Sequence, residues 1–475
     1  MSDALYRKPV AELARLIERR EVSPREVVEH FLARIESENP RLNAFVTVCA
    51  ERALRRADEL GEELARGTYR GPLHGIPVGI KDLTDTAGVR TTYGSGLFRD
   101  HVPSEDAEPV RRLLAAGAVV VGKTNTHEFA LGTTTNNPHF GATHNPWRHG
   151  HVPGGSSGGS GAAVGAGLVP IATGTDTGGS IRIPSAACGC VGIKPSYGRV
   201  SLRGTYPLAT GLDHVGPLAR TAEDCAIALN ALAGFDPHDP TSRDLPAEDF
   251  TRELGRSLRG LRVGHAPSYR PLPVTAEVEA GVATALRTLE QLGAQLVEVK
   301  LPDAQQVNSA ASIVLLAESY AQHAQLFAAN RDAYGVDVRE QLELSAGLDA
   351  ATLARAREAR ESIARTVADV VTREVDVLVL PTMAITAPPI GRATVDIGGN
   401  DVPVAPAMAS YTLLHNATRL PTVAVPVGLA ANGLPTSVQL TAADRREAFV
   451  LAVAHALETA LWPHERRWPA DSPAR

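Results

Sequence analysis

The sequence predicts an α/β protein built on a layered sheet, folded as one large domain over residues 1–475. Two observations lead there. From Gly75 onward, short apolar runs bounded by turn residues alternate with helical patterns, the signature of strands and helices in turn. In addition, no repeat, low-complexity linker or composition break divides the chain, although its 475 residues would by length alone suggest about three domains.

The elements follow in order. The first 70 residues read as helices. Ser23-Pro24-Arg25-Glu26 is a capping box with proline at the first helical position, and Val27, Val28, Phe31, Leu32 and Ile35 follow at helical spacing. A third helix carries Leu54, Ala57, Leu60 and Leu64. Strands are expected at Ile76–Ile80, Ala118–Val121 and Val169–Thr173, with helices at about Pro109–Ala116 and Gly158–Gly167. Further on come a strand at Leu261–His265, a long helix from Ala276 to near Gly293 and a strand at Gln295–Val299. Helical segments fill Val307–Arg373. Strands then follow at Val375–Leu380, Thr422–Val427 and Thr436–Leu440, and a helix at Glu447–Leu461 closes the chain.

Composition excludes several classes. A net charge of −6 without any block of like charges argues against a dedicated nucleic-acid surface. No stretch reaches the ~18 apolar residues of a membrane span, and the N-terminus lacks the apolar core of a secretory signal. Cys49, Cys188, Cys190 and Cys225 fit neither a zinc site nor a disulfide framework, which is the usage of a reducing cytoplasm; Cys188 and Cys190 would share one face of a strand. Lysine is scarce: Lys8, Lys81, Lys123, Lys194 and Lys300 stand against 42 arginines, so each lysine is a candidate for work arginine cannot do.

Three short motifs mislead. Gly117-Ala-Val-Val-Val-Gly-Lys-Thr124 matches a P-loop, but its variable residues form a strand whose N–H groups belong to the sheet rather than to a phosphate. Gly154-Gly-Ser-Ser-Gly158 matches a nucleophile elbow, yet Asn145–Pro153 before it is a loop where that motif needs a strand. His149-Gly-His151 has a metal-like spacing without further ligands at strand ends, so no metal is assigned.

The densest signal is a glycine-rich run. Between Gly150 and Ser180 lie 11 of the 42 glycines, and no charge occurs from Val152 to Thr175. Each glycine inside a regular element costs roughly 0.5–1 kcal/mol, so such a run serves backbone geometry. Thr177-Gly178-Gly179-Ser180 reads as a tight turn after a strand, with N–H groups able to converge beside the serine as an oxyanion hole. Ser156 and Ser157 precede a helix and sit near its positive end. Lys81 follows the apolar run Ile76–Ile80, at a strand end, where α/β sheets put their chemistry. Burial there lowers a lysine's pKa and makes it a plausible base.

These segments resemble the amidase signature family. The resemblance runs from Glu12 to Leu461 and is densest from Gly71 to Leu232. Its pieces are Gly75-Ile-Pro-Val-Gly-Ile-Lys-Asp82, Lys123-Thr-Asn-Thr-His-Glu-Phe129, Pro153-Gly-Gly-Ser-Ser-Gly-Gly-Ser160 and Gly174-Thr-Asp-Thr-Gly-Gly-Ser-Ile-Arg-Ile-Pro-Ser185. Cys190–Pro195 and Gly216–Thr221 continue it, and one departure is Gly161, where the family usually has alanine. The resemblance implies a large single domain with a mixed, twisted sheet covered by helices on both faces. Within it, 1–70 is a helical N-terminal segment, 71–235 the catalytic core and 236–475 a variable part that shapes the pocket and completes the sheet.

It also implies a triad of Ser180 as nucleophile, Ser156 behind a cis peptide bond as proton relay, and neutral Lys81 as base. The N–H groups of Thr177, Gly178, Gly179 and Ser180 would hold the oxyanion. Leu131, Gly132 and Thr133, in the segment Phe129–Thr134, would bind substrate, with Ser157, Asp176 and Arg182 in support; Asp176 and Arg182 are expected to pair and brace the turn. The implied function is a cytoplasmic amidase that hydrolyses a small carboxylic amide, with no cofactor, no nucleic acid and no membrane, and with homodimerisation a family-level expectation. The alternative is the glutaminase subunit of a tRNA-dependent amidotransferase. Ala317–His323 and Arg331–Gly335 do not resemble the glutamine-binding stretches expected of that subunit.

Overall fold

Alternation along the strands decides where the core sits. Val119 and Val121 turn to one face of their strand and Val120 to the other, and the two faces are buried in different apolar clusters. The computed structural model describes residues 2–469. Its centre is an 11-stranded mixed sheet. In chain order the strands are β1 (Phe45–Val48), β2 (Pro77–Lys81), β3 (Val119–Thr124), β4 (Ile171–Thr175), β5 (Val191–Lys194), β6 (Val215–Ala219), β7 (Arg262–His265), β8 (Gln295–Glu298), β9 (Val377–Pro381), β10 (Thr422–Leu429) and β11 (Pro435–Thr441). Across the sheet they lie in the order β1-β3-β2-β4-β6-β5-β10-β11-β9-β7-β8. Strands β3, β2 and β4 run parallel, as do β9, β7 and β8. The strands between these two groups pair antiparallel.

Helices cover both faces. On one side Val10–Glu18, Glu108–Ala115, Ala222–Leu232 and Glu447–Leu461 pack Leu13, Val110, Leu229 and Leu451 into a single large cluster. The opposite side is closed by Ala50–Ala65 and Gly158–Gly165 over one half of the sheet. Over the other half, Arg182–Cys188, Ala304–Asn330 and Ala350–Asp369 do the same. The predicted capping box is formed: the Ser23 hydroxyl accepts from the Glu26 N–H, and the Glu26 carboxylate accepts from the Ser23 N–H.

The structure departs from the sequence reading in places with identifiable causes. The first 70 residues are not all helical. Phe45–Val48 is an edge strand, antiparallel to β3, and pairing with distant residues overrides any local signal. Cys188 and Cys190 do not share a strand face. Cys188 ends the helix Arg182–Cys188, Gly189 caps it at φ +67°, and Cys190 leads into β5. β3 extends through Lys123 and Thr124, and Lys123 Nζ donates to the Thr84 carbonyl and to Thr91 Oγ1 at 2.6 Å. No helix among the described residues is long and apolar enough to cross a membrane.

Candidate active site

Parallel neighbours β2 and β4 end side by side, which brings Lys81 and Thr175 together. Lys81 Nζ donates to Thr175 Oγ1 at 2.7 Å and lies 2.8 Å from Ser156 Oγ. The amine is completely buried, and burial brings its pKa down from 10.5 to about 7, against the smaller opposing pull of Asp176 and Asp213. Ser156 follows a cis Gly155–Ser156 peptide bond. Its carbonyl is pinned by the His127 N–H at 3.1 Å and the Thr126 hydroxyl at 3.0 Å. The Ser157 hydroxyl meets the backbone N–H and carbonyl of Thr175, and the Ser157 N–H donates to the Ser180 carbonyl at 3.3 Å. Two segments of the glycine-rich run are thereby stitched to each other and to β4.

Glycine is required at two points of the run by close approach. A Cβ on Gly159 would sit 2.3 Å from the Asn125 nitrogen. Gly179 has φ +131°, and a Cβ there would meet Thr412 Oγ1 at 2.3 Å.

The turn carrying Ser180 is organised by one carboxylate. Asp176 accepts from the N–H groups of Gly179 at 2.8 Å, Ile181 at 3.2 Å and Arg182 at 3.4 Å. Arg182 Nε and Nη2 reach its two oxygens at 3.0 Å each, and Asn416 Nδ2 adds a further bond at 2.8 Å. Both partners of the ion pair are fully buried. Burial works to raise the Asp176 pKa, but Arg182 and these donors outweigh it and hold the carboxyl below its usual range. The remaining Arg182 donors go to Thr412 O, Gln439 Oε1 and Asn416 Oδ1.

One expectation at this turn is corrected. The Gly179 N–H, counted with the oxyanion donors, is spent on Asp176. The N–H groups of Thr177, Gly178 and Ser180 have no hydrogen-bond partner among the described residues. The Thr177 hydroxyl donates to Asp213 at 2.6 Å, and the other Asp213 oxygen accepts from the N–H groups of Leu208 and Ala209. Burial raises the Asp213 pKa.

Ser180 lies at a cavity of about 330 Å³, lined also by Leu131, Gly132, Thr133, Thr177 and Gly178. A Cβ on Gly132 would overlap the His127 ring, and His127 Nε2 is 2.8 Å from Asp337 Oδ2. His149 stacks on His144 with ring centroids 4.0 Å apart, and the described residues hold no cluster of three or more potential metal ligands.

Sequence reasoning missed Thr175, Asp213, Thr412, Asn416 and Gln439. Thr175 and Asp213 were within reach, the first inside Gly174-Thr-Asp-Thr and the second three residues before Gly216-Pro-Leu-Ala-Arg-Thr221. Asn416 and Gln439 carry no sequence signal, because only the sheet brings them to Arg182.

Comparison with known proteins identifies the family. The Amidase family profile matches residues 26–451. The chain is 40% identical to the A subunit of the Glutamyl-tRNA(Gln) amidotransferase of Thioalkalivibrio sulfidiphilus, over 97% of this chain and 99% of that one. It superposes with TM-score 0.91 and 36% identity on a structure reported as a vestigial protein complex that reveals the evolutionary origins of an s-triazine catabolic enzyme, covering 95% of this chain and 98% of that one. A bacterial aryl acylamidase of the amidase signature family matches with TM-score 0.89 and 30% identity, over 98% and 99% of the two chains. The amidotransferase relative overturns the expectation that nucleic acid is foreign to this protein, since it is part of an enzyme named for a tRNA. Net charge gauged only the surface of one chain, and it carries no information about an assembly in which a chain is one component.

Proposed function

Since this chain belongs to the amidase family, we propose that it cleaves a carboxylic amide through an acyl-enzyme on Ser180, releasing ammonia or an amine and then, by hydrolysis, the acid. The observation that carries this is the 2.8 Å contact between Lys81 Nζ and Ser156 Oγ, with an amine that burial brings to a pKa of about 7. A neutral Lys81 accepts a proton from Ser156, and Ser156 takes one from Ser180 as the latter attacks the carbonyl. The N–H groups of Thr177, Gly178 and Ser180 receive the developing oxyanion. Protons return along the same path to the leaving nitrogen, and water then attacks the acyl group. Asp176 and Arg182 hold the turn in shape. A cytoplasmic location goes with this reading.

A second reading is favoured by the relatives: the glutaminase subunit of a tRNA-dependent amidotransferase, releasing ammonia from glutamine for a partner protein. The 40% identity over 97% of the chain supports that version more directly than it supports a free-standing amidase. Both readings share the nucleophile. Ser180→Ala is expected to lower turnover by at least about 10³-fold with the fold retained, and a fluorophosphonate is expected to label Ser180 and no other residue. Labelling elsewhere, or activity retained in the variant, removes the nucleophile. Glutaminase activity and copurification with partner subunits would select the second reading.

A further inference from the structure

The cavity beside Ser180 is lined by nineteen residues, and none of them is ionisable. Its walls are mainly apolar, formed by Leu131, Ile183, Leu208, Leu315, Leu316 and Leu413. The polar atoms it does present are neutral. Three of them, Thr133 Oγ1, Asn308 Oδ1 and Ser410 Oγ, are buried with no hydrogen-bond partner among the described residues. Buried polar groups are ordinarily paired, and a ligand carrying a neutral donor that reaches these residues would pair them. Four charges on the neighbouring elements are engaged elsewhere. Arg182 is held by Asp176, Asp213 by Thr177 and two backbone N–H groups, and Glu318 by the Gly211 N–H and Arg357. Asp337 pairs with His127 behind Gly132.

We propose that this cavity selects amides with an uncharged acyl chain, apolar next to the carbonyl and ending in a neutral hydrogen-bonding group such as a carboxamide, ureido or hydroxyl group, and that it rejects free amino acids, glutamine included. The inference rests on the reading of Ser180 as nucleophile, which places the acyl chain in this cavity, and it sides with the free-standing amidase against the glutaminase subunit. A glutamine side-chain amide aimed at Ser180 would bring its α-carboxylate and α-ammonium along the same walls. The carboxylate would find no cation there, and a buried unpaired charge is the costliest group to place in such a site. A neutral terminal N–H or O–H instead gives Asn308 Oδ1 and the two hydroxyls the partner they lack.

The test uses the full-length purified chain and four amides: hexanamide, adipamide, adipamic acid and L-glutamine. Values of kcat/KM for adipamic acid and glutamine are expected at least about 100-fold below that for adipamide, the scale on which a pocket rejects a group it cannot pair. Asn308→Leu is expected to lower the ratio of adipamide to hexanamide turnover about tenfold, because only adipamide has a distal group to bind. If the serine probe labels Ser180 but no amide turns over, protection of Ser180 against the probe by the same four compounds must follow the same order. Glutamine or adipamic acid within tenfold of adipamide overturns the proposal and leaves the nucleophile standing. An Asn308→Leu ratio that stays put overturns the distal-group assignment. Failure of both labelling and turnover removes the reading of Ser180 and this proposal with it.

Discussion

Lys81 is the residue on which the proposed chemistry turns. The protonated amine cannot accept a proton from Ser156, and the neutral one can. With the pKa brought to about 7 by burial, the neutral fraction grows as pH rises through that value. The expected kcat/KM profile therefore climbs through about pH 7 and levels off above it, for any amide the enzyme turns over. Lys81→Met is expected to lose about 10²–10⁴-fold in rate and to flatten the rise. A wild-type profile that is level between about pH 6 and 9 would remove Lys81 as the base. The scarcity of lysine pointed to this position, and to Lys123 and Lys194 as well, but it could not rank the three. All are fully buried with lowered pKa values, yet Lys123 and Lys194 spend Nζ largely on carbonyl oxygens. Of the three, Lys81 is the one facing a serine hydroxyl.

At the scale of elements, the loop between β4 and the helix Arg182–Cys188 is shaped by a buried ion pair rather than by glycine alone. Arg182→Met is expected to leave Asp176 buried without its cation and to cost about 3–5 kcal/mol, read as a lower denaturant midpoint. Asp176→Asn combined with Arg182→Met is expected to cost less than the sum of the single changes, since the two sites share one interaction. A fully additive double variant would mean that the pair does not organise the loop. The strands that carry the chemistry were legible because Ile76–Ile80 and Val169–Thr173 are apolar runs with turn residues on both sides, the pattern of strands buried on both faces. Observed bounds moved by up to two residues toward the C-terminus, to Pro77–Lys81 and Ile171–Thr175, so that Lys81 and Thr175 became terminal strand residues. Phe45–Val48 was illegible because four residues at a sheet edge are specified by the partner strand.

Over the whole molecule, the site cannot be confined to one stretch of chain. The Ser180 turn is held through Arg182 by Thr412, Asn416 and Gln439, more than 200 residues away. β5, just beyond that turn, pairs with β10. Residues 71–235, read from sequence as the catalytic core, thus depend on 236–475 for the inner supports of their own loop. A fragment of residues 1–235 is expected to show no fluorophosphonate labelling of Ser180, against full labelling of the intact chain. Labelling of the fragment at the rate of the whole chain would show the core to be self-sufficient.

The residue types and their order in the chain came from sequence: a lysine at the end of an apolar run, serines inside a glycine-rich run, and an aspartate and arginine flanking the turn. Those features are local, and short-range patterns of apolar and turn residues express them directly. The structure decided which lysine meets a serine, which N–H groups of the turn find no partner among the described residues, and that the cavity beside Ser180 is lined by no ionisable group. Each of these depends on side chains from segments tens to hundreds of residues apart that approach only when the eleven strands close into one sheet, and no local pattern encodes such an approach.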